Sequence, residues 1–345
     1  MKDAILVSII VVNWNGKTVL SECLDALRKQ TYPHREIIVV DNHSTDGSVP
    51  WLQQQGKEIK HVLLTENRGF SGGNAAGLSV ALGEYIALLN NDTVPDPNWL
   101  ADLVSAMDQD ERVGICASKL VTYNPPHVID SAGDECLTYG HGIKRGEGQP
   151  ESAYTQREFV FGACAGAVLY RRKMLDEIGF FDEDFFLNCE DADLNFRAQL
   201  MGWKCLYIPT ARVRHRVSAT IGRLSDTSVY YAARNREWVW IKNMPTGLMI
   251  RSFHYKVIEE CGALVYFALQ GKLWAFLRGK ADAFKKLPTF LKKRKDIQKR
   301  KTASNRYLRT VLTPICSAIF RGMVRQRFLS AFPIFRFFRR CKLLL

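Results

Sequence analysis

Val7-Ser-Ile-Ile-Val-Val-Asn-Trp-Asn15 begins as an apolar run and ends in polar residues. After Gly16 the period changes, with Val19, Leu20, Cys23, Leu24 and Leu27 at helical spacing. The stretch therefore reads as strand, polar loop and helix. The same order recurs downstream. Glu36 to Val40 is a second β-branched run ending in Asp41-Asn42, His61 to Leu64 a third, and Tyr85 to Leu89 a fourth ending in Asn90-Asn91-Asp92. Helical patterns over Gly72 to Leu82 and Asn98 to Met107 separate or follow them. Such alternation predicts an α/β domain with a mostly parallel sheet covered by helices. No internal repeat of fixed period is present.

The composition bounds what this fold can be. With 345 residues and 47% apolar content the chain can bury the core of one large domain with a smaller appendage, which excludes wholesale disorder. Its nine cysteines stand singly, at 23, 116, 136, 164, 189, 205, 261, 316 and 341, the pattern of a reducing compartment. The first strand starts close to Met1 with no signal-peptide pattern before it, so a cytoplasmic location is expected. The net charge of +13 is unevenly divided: residues 251–345 hold 23 Lys/Arg and 4 Asp/Glu, a balance of +19, which leaves −6 for residues 1–250. An acidic body argues against nucleic acid as the ligand.

In an open α/β sheet, ligands bind beyond the carboxyl ends of the strands. Polar residues gather at those ends here: Asn13 and Asn15, then Asp41 and Asn42, then Asn67-Arg68-Gly69, then Asn90-Asn91-Asp92. Asn and Asp also end strands simply because they make turns, but four consecutive strand ends of this kind point to a binding edge. Residues 122–157, rich in Gly, Pro and polar residues, read as a long excursion with short strands. In Phe161 to Tyr170 small residues mark a strand passing close to another backbone or a ligand, and a helix over Arg171 to Ile178 follows. Glu190 to Met201 is helical, with Leu194, Ala198 and Met201 in register and two carboxylates on its first turn.

Taken together these segments resemble the family-2 inverting glycosyltransferases of GT-A (Rossmann-like) fold, particularly the bacterial rhamnosyltransferase-like branch. The likeness spans roughly residues 5–245 and rests on several motifs in order. They are Val7 to Asn15, Glu36 to Asn42 with Ser44-Thr-Asp-Gly-Ser48, Asn67-Arg-Gly-Phe-Ser-Gly-Gly-Asn74, Leu88-Leu-Asn-Asn-Asp92 and Cys189-Glu-Asp-Ala-Asp-Leu-Asn-Phe-Arg197. It implies transfer of a sugar from a nucleoside-diphosphate donor to an acceptor hydroxyl, and divides the residues into three groups.

Displacing a nucleoside diphosphate requires stabilising charge on the leaving phosphates, which a divalent ion does as a Lewis acid. The resemblance assigns Asp92 to Mg²⁺ or Mn²⁺; the triplet here is Asn-Asn-Asp, so it retains a single carboxylate, and donor phosphates and water would complete the oxygen shell. His215, in Val213-Arg-His-Arg216, matches a position where relatives supply an imidazole to the same ion. Asp41 matches the residue that accepts a hydrogen bond from a pyrimidine base, and the remaining donor contacts are expected from Asn13, Asn15, Asn67, Gly72, Asn74 and Asn90. The Gly-rich turn is not a Walker A loop, because no Gly-Lys-Ser/Thr ends it. Inversion by direct displacement needs a base on the acceptor hydroxyl: the resemblance gives that role to Asp191, with Glu190 binding acceptor or holding the helix start. Asp193 and Arg197, four apart, are expected as a helix-surface ion pair.

The expected division is a catalytic domain over residues 1–249 and a basic, amphipathic helical extension over 250–345. No stretch of the extension is an uninterrupted apolar run of membrane-spanning length; Cys261 to Leu277 carries Gln270 and Lys272. Lys285-Lys286, Lys292-Lys-Arg-Lys295 and Lys299-Arg-Lys301 alternate with Phe284, Leu287, Phe290 and Leu291, as in helices that lie on anionic lipid. Trp274 and Phe276 are the expected inserting residues, and the expected location is the inner face of the cell membrane. The resemblance favours dTDP-rhamnose as donor and a glycan or lipid-linked acceptor. UDP-hexose or UDP-N-acetylhexosamine transfer, and a non-catalytic membrane-bound scaffold of the same fold, are the alternatives.

Overall fold

The computed structural model describes residues 5–217 and 224–315. The first half alternates as expected: β1 (Val7–Asn13), α1 (Lys17–Arg28), β2 (Arg35–Asp41), α2 (Ser48–Gln53), β3 (Ile59–Leu63), α3 (Gly69–Val80), β4 (Tyr85–Leu89), β5 (Thr93–Pro95), α4 (Trp99–Met107) and β6 (Val113–Thr122). Then come the short β7 (Ile129–Ser131), β8 (Asp134–Cys136), β9 (Gly142–Lys144) and β10 (Glu158–Val160), followed by β11 (Ala167–Arg171), α5 (Arg172–Ile178), α6 (Glu190–Leu200) and β12 (Lys204–His215). Five helices close the described chain: α7 (Asp226–Asn243), α8 (Thr246–Leu269), α9 (Leu273–Lys285), α10 (Leu287–Arg300) and α11 (Asn305–Val311).

The main sheet runs β10-β12-β6-β11-β4-β1-β2-β3. Strands β1, β2, β3 and β4 are parallel, but β11 lies antiparallel between β4 and β6, so the sheet is mixed rather than mostly parallel. The reversal follows from the chain path: β11 returns after the long 122–166 excursion instead of after a crossover helix. The β1 side chains serve both faces, Ile9 and Val11 packing with α1 and α4, and Ile10 with Val40, Leu88 and Tyr170. Helix α3 starts at Gly69, three residues earlier than its sequence pattern, and its glycines let it lie close to β1: a Cβ on Gly77 would come within 2.4 Å of Ile10.

The basic extension is joined to this body. The expected boundary at 249/250 falls inside α8. Phe290 of α10 is fully buried, stacked on Trp238 of α7 at 4.3 Å and edge-on to Phe185 at 6.1 Å. Phe276 lies buried against Val229 and Ala233, which corrects the expectation that it inserts into lipid; Trp274 is 80% exposed. Basic residues of the extension bind acids of the body, Lys293 with Asp182 and Asp184 at 2.6 and 2.7 Å and Lys286 with Asp184 at 2.8 Å. Thr313 adds a bridge to Leu137. Among the described residues no helix is long and apolar enough to cross a membrane. Truncating a fully buried Phe costs about 3–5 kcal/mol. Phe290→Ala is therefore expected to lower the thermal unfolding midpoint of the whole chain in a single transition, as read by calorimetry; an unchanged midpoint would mean that α10 is not part of the body's core.

Candidate functional site

The strand ends of β1, β2 and β4 build one hydrogen-bonded edge. Asn13 is buried, and its amide donates to Asp41 Oδ2 at 3.0 Å while its Oδ1 accepts from Asn91 at 2.8 Å. Asp41 Oδ1 accepts the backbone N–H of Ser44 at 2.8 Å. Asn15, in a left-handed conformation at φ 51°, is exposed; its Oδ1 accepts the N–H of Thr45 at 2.7 Å and its own N–H donates to Ser44. The next strand end is cross-linked through Asn42, which donates to Asn67 Oδ1 at 3.0 Å and accepts from the N–H of Arg68. Asn67 Oδ1 also accepts from Gly69, shaping the turn into α3. Two of the expected donor contacts face inward in this structure: Asn74 is buried with its amide on the Phe70 carbonyl at 2.9 Å, and Gly72 lies against Arg68 and Glu183. Asn90 follows β4, and a Cβ on Gly166 would lie 3.3 Å from its amide.

The second group forms where β5 pairs with β12. Their register sets His215 opposite Thr93, which brings the imidazole beside Asp92: Nε2 lies 3.3 Å from Asp92 Oδ1. Its other nitrogen, Nδ1, lies 2.8 Å from Asp130 Oδ2. Asp130, on β7, is fully buried and accepts from Lys144 Nζ on both oxygens, at 2.8 and 3.0 Å. Burial disfavours the imidazolium, but hydrogen bonds to Asp130 and Asp92 outweigh it and push His215 up to about 9. Burial acts on Asp130 too, yet His215 and Lys144 hold its carboxyl far below the usual range. Asp130 and Lys144 were missed in the sequence because they lie in the 122–157 segment, whose Gly, Pro and polar content reads as loop.

Glu190 and Asp191 start α6 as expected. Asp191 Oδ2 accepts the N–H of Ala165 at 3.2 Å and Oδ1 that of Ala192 at 2.7 Å. Buried Asn195, one turn on, holds Ala163 by paired bonds of 3.2 and 2.9 Å and so fixes the turn before β11 that supplies Ala165. Asp191 shares a cavity of about 160 Å³ with Asp134, Lys144, Cys164, Cys189 and Phe161. Burial raises Asp191, while the two N–H groups and Lys144 act against that rise. Glu190 is buried, and its Oε2 has no hydrogen-bond partner among the described residues. Burial, followed by repulsion from Asp191, pushes it up to about 8. Asp193 and Arg197 do pair, at 2.9 Å, but the expected surface pair is buried: Asp193 also takes Lys242 at 3.0 Å and Asn243 at 2.8 Å. The helix joins α7 through these bonds, which is why they lie inside.

The turn before α6 is strained, with Phe186, Asn188 and Cys189 all at φ between 62° and 69°. Helix α7 holds it. Asn235 Nδ2 donates to the carbonyls of Phe185, Leu187 and Asn188 at 2.7–2.9 Å, and Tyr231 stacks on Phe186 at 5.1 Å. Non-glycine residues persist in such conformations when their surroundings over-determine them, commonly at functional sites.

Among the described residues no three His, Cys, Asp or Glu groups converge as a metal cage. Asp92 and His215 nevertheless offer one oxygen and one nitrogen 3.3 Å apart. Two adjacent ligands of an octahedral ion, each about 2.1 Å from it, lie about 3 Å apart, so this pair fits a small divalent cation whose remaining ligands come from elsewhere.

Residues 8–179 match the profile of the family described as Glycosyl transferase family 2. The chain is 32% identical over 225 residues to the O-antigen biosynthesis protein RfbC of Myxococcus xanthus, covering 62% of this chain and 17% of that one. It is 27% identical over 218 residues to the putative glycosyltransferase EpsH of Bacillus subtilis strain 168, covering 61% and 60%. It thus spans less than two thirds of the length of these relatives. Among solved structures, GalNAc-T7, crystallised with UDP, GalNAc and Mn²⁺, superposes with a TM-score of 0.56 at 17% identity, covering 69% of this chain and 48% of that one, a likeness of fold.

Because Glu190 titrates higher in the fold than in an unfolded chain, its protonated form stabilises the fold. That contribution is complete below the ordinary glutamate range and is lost as pH rises through about 8. The unfolding midpoint of Glu190→Gln should accordingly fall less steeply than that of the unsubstituted protein between about pH 5 and about pH 8. Parallel slopes in thermal melts would contradict the assignment.

Proposed function

Because the chain belongs, through residues 8–179, to glycosyl transferase family 2 and has the GT-A fold, we propose that it is an inverting, metal-assisted transferase. It moves a sugar from a nucleoside-diphosphate donor to a hydroxyl of a glycan or lipid-linked acceptor. The observation that carries the reading is the meeting, at one edge of the sheet, of the paired Asp92 and His215 with the cavity that holds Asp191. The first donor choice is dTDP-rhamnose, which rests on the likeness of the sequence motifs to the rhamnosyltransferase-like branch. A surface-polysaccharide acceptor is favoured by the O-antigen biosynthesis relative.

Each part of the site has a task in this reading. Asp41, already oriented by Asn13 and the Ser44 N–H, keeps lone pairs for the imide N–H of a pyrimidine base. The exposed Asn15 and the Asn67 turn border the nucleotide, and the wall beside Asn90 is kept low by Gly166. Asp92 and His215 would hold Mg²⁺ or Mn²⁺, which when bound offsets charge on the departing diphosphate. Asp191 takes the proton of the acceptor hydroxyl as its oxygen attacks the anomeric carbon from the face opposite the leaving group. The carbon–oxygen bond to the diphosphate breaks with its electron pair, and configuration inverts. Burial raises Asp191, and the Ala165 and Ala192 N–H groups and the Lys144 charge favour the ionised form that a base requires. Glu190, protonated near neutrality, can donate a hydrogen bond to the acceptor without competing for its proton.

General-base removal typically costs about 10²–10⁴-fold in rate. Asp191→Asn is expected to lose at least 100-fold in transfer while its dissociation constant for donor nucleotide, by calorimetry, stays within about threefold. Transfer within tenfold of the unsubstituted enzyme would overturn the assignment of the base.

The proposal extends to location, with residues up to the start of α8 as the catalytic unit and the helices beyond it as a scaffold with an outer face for anionic lipid. Ile250, Ile258 and Leu269 on α8 are 64–74% exposed, and Trp274, Leu277 and Phe284 of α9 fall at spacings of three and seven. Exposed Arg251, Arg278, Lys285, Lys292, Lys295 and Lys299 accompany them. Each basic residue near an anionic surface adds about 1 kcal/mol, and exposed charges are screened within about 8 Å at physiological salt. The whole chain should co-sediment with anionic liposomes, more weakly as salt rises, and Trp274→Ser with Leu269→Ser should remove the salt-resistant part. Equal recovery with neutral and anionic liposomes would refute the location.

A further inference from the structure

The β8–β9 hairpin brings a single ammonium between the two halves of the site. Asp134 and Lys144 are partners in its antiparallel register. From there Lys144 Nζ bonds both oxygens of the fully buried Asp130, at 2.8 and 3.0 Å, and the same side chain lines the cavity that contains Asp191. Asp130 in turn accepts from His215 Nδ1 at 2.8 Å, which leaves Nε2 as the nitrogen that faces Asp92. We propose that Lys144 is a positioning residue for both half-sites: through Asp130 it orients His215 toward the ion, and directly it faces the base Asp191. This rests on the reading of Asp92 and His215 as ion ligands and of Asp191 as base.

The physical case has two steps. A buried carboxylate remains ionised only beside compensating charge, and Lys144 occupies both of its oxygens with one cation, fixing the plane of the carboxyl group. A fixed, ionised Asp130 selects the His215 tautomer with hydrogen on Nδ1 and presents a bare Nε2, an arrangement whose loss typically weakens metal binding 10- to 100-fold. With Lys144 removed, the bidentate grip on Asp130 is lost, its carboxyl group turns, and His215 loses its preference. The second step concerns Asp191. Lys144 lines the same cavity as Asp191 and its positive charge favours the ionised carboxylate, so loss of the ammonium affects turnover as well as ion affinity.

The test measures Mn²⁺ binding by electron paramagnetic resonance, with Mn²⁺ alone and with Mn²⁺ plus dTDP or UDP, alongside kcat and KM at saturating Mn²⁺. The full-length variants are Lys144→Met, Lys144→Arg, Asp130→Asn and Asp92→Ala. Lys144→Met and Asp130→Asn should each weaken Mn²⁺ by about 10- to 100-fold. At saturating Mn²⁺, Lys144→Met should retain a larger loss in kcat than Asp130→Asn, and Lys144→Arg, whose guanidinium can grip the same carboxylate, should recover most of the Mn²⁺ affinity. In the Mg²⁺-loaded protein, nitrogen NMR of His215 should show hydrogen on Nδ1, and mixed tautomers in Asp130→Asn. If Asp92→Ala lowers Mn²⁺ affinity while Asp130→Asn and Lys144→Met bind like the unsubstituted protein, the inference falls and the ion site stands. If Asp92→Ala binds Mn²⁺ unchanged, the ion reading itself falls. Should Lys144→Met fail to fold, the near-isosteric Asp130→Asn still decides the first step through affinity and tautomer, and Lys144→Arg decides the second: intact kcat supports it, and a kcat lowered despite recovered Mn²⁺ affinity overturns it.

Discussion

Negative charge gathered in a buried cleft is the constraint on which this site depends. Asp92, Asp130, Asp134, Glu190 and Asp191 come from the β4–β5 turn, from β7, from β8 and from the first turn of α6. A low-dielectric cleft cannot hold so many unpaired carboxylates; each must find a cation, a set of N–H donors, or a proton. The structure uses all three. Asp130 has Lys144 and His215, Asp191 has two backbone N–H groups, and Glu190 and Asp134 are pushed toward their protonated forms, chiefly by burial. In the proposed reaction, neighbouring acids of similar intrinsic strength would thereby serve separately as a base, a hydrogen-bond donor and an orienting anion.

The scaffold that maintains this separation extends well beyond the strand ends. Asn235 and Tyr231 of α7 hold the left-handed turn that aims Asp191, and α7 is itself packed beneath α9 and α10 by Trp238 and Phe290. Lys293 and Lys286 neutralise Asp182 and Asp184 at the base of the same turn. Part of the excess positive charge of the extension therefore serves to fasten it to an acidic body. Among the described residues Arg251, Arg278, Lys292, Lys295 and Lys299 instead lie exposed, on α8, α9 and α10, helices that also carry exposed apolar residues.

The sequence was most legible where local pattern and tertiary context agree. The β1–α1 unit follows from a change of apolar period, and Asp41, Asp92 and the Glu190-Asp191 pair stand at element ends where a chain-local rule finds them. His215 needed the resemblance, since nothing local distinguishes a histidine at the end of β12. Its meeting with Asp92 is a consequence of the β5–β12 register, a non-local pairing. Asp130, Asp134 and Lys144 were illegible for a related reason: β7, β8 and β9 are three residues each, too short to show a period. The i,i+4 spacing of Asp193 and Arg197 was read correctly as a pair but on the wrong side of the helix, because spacing reports adjacency and not burial.

The donor set has a consequence for the order of events in the proposed reaction. One carboxylate and one imidazole cannot satisfy a hard divalent ion that takes about six ligands, so most of its shell must come from water and the donor's phosphates. In that reading ion and donor would bind as a unit, each weak without the other. In their absence His215 carries the positive charge of this half-site, shared between Asp92 and Asp130. Asp92 and His215 Nε2 would hold the ion in place of that proton, with Asp130 keeping the hydrogen on Nδ1, so that Asp92 would not be left uncompensated. Lys144 would keep its hold on Asp130 in either state, so that the base half of the proposed site would not wait on the ion.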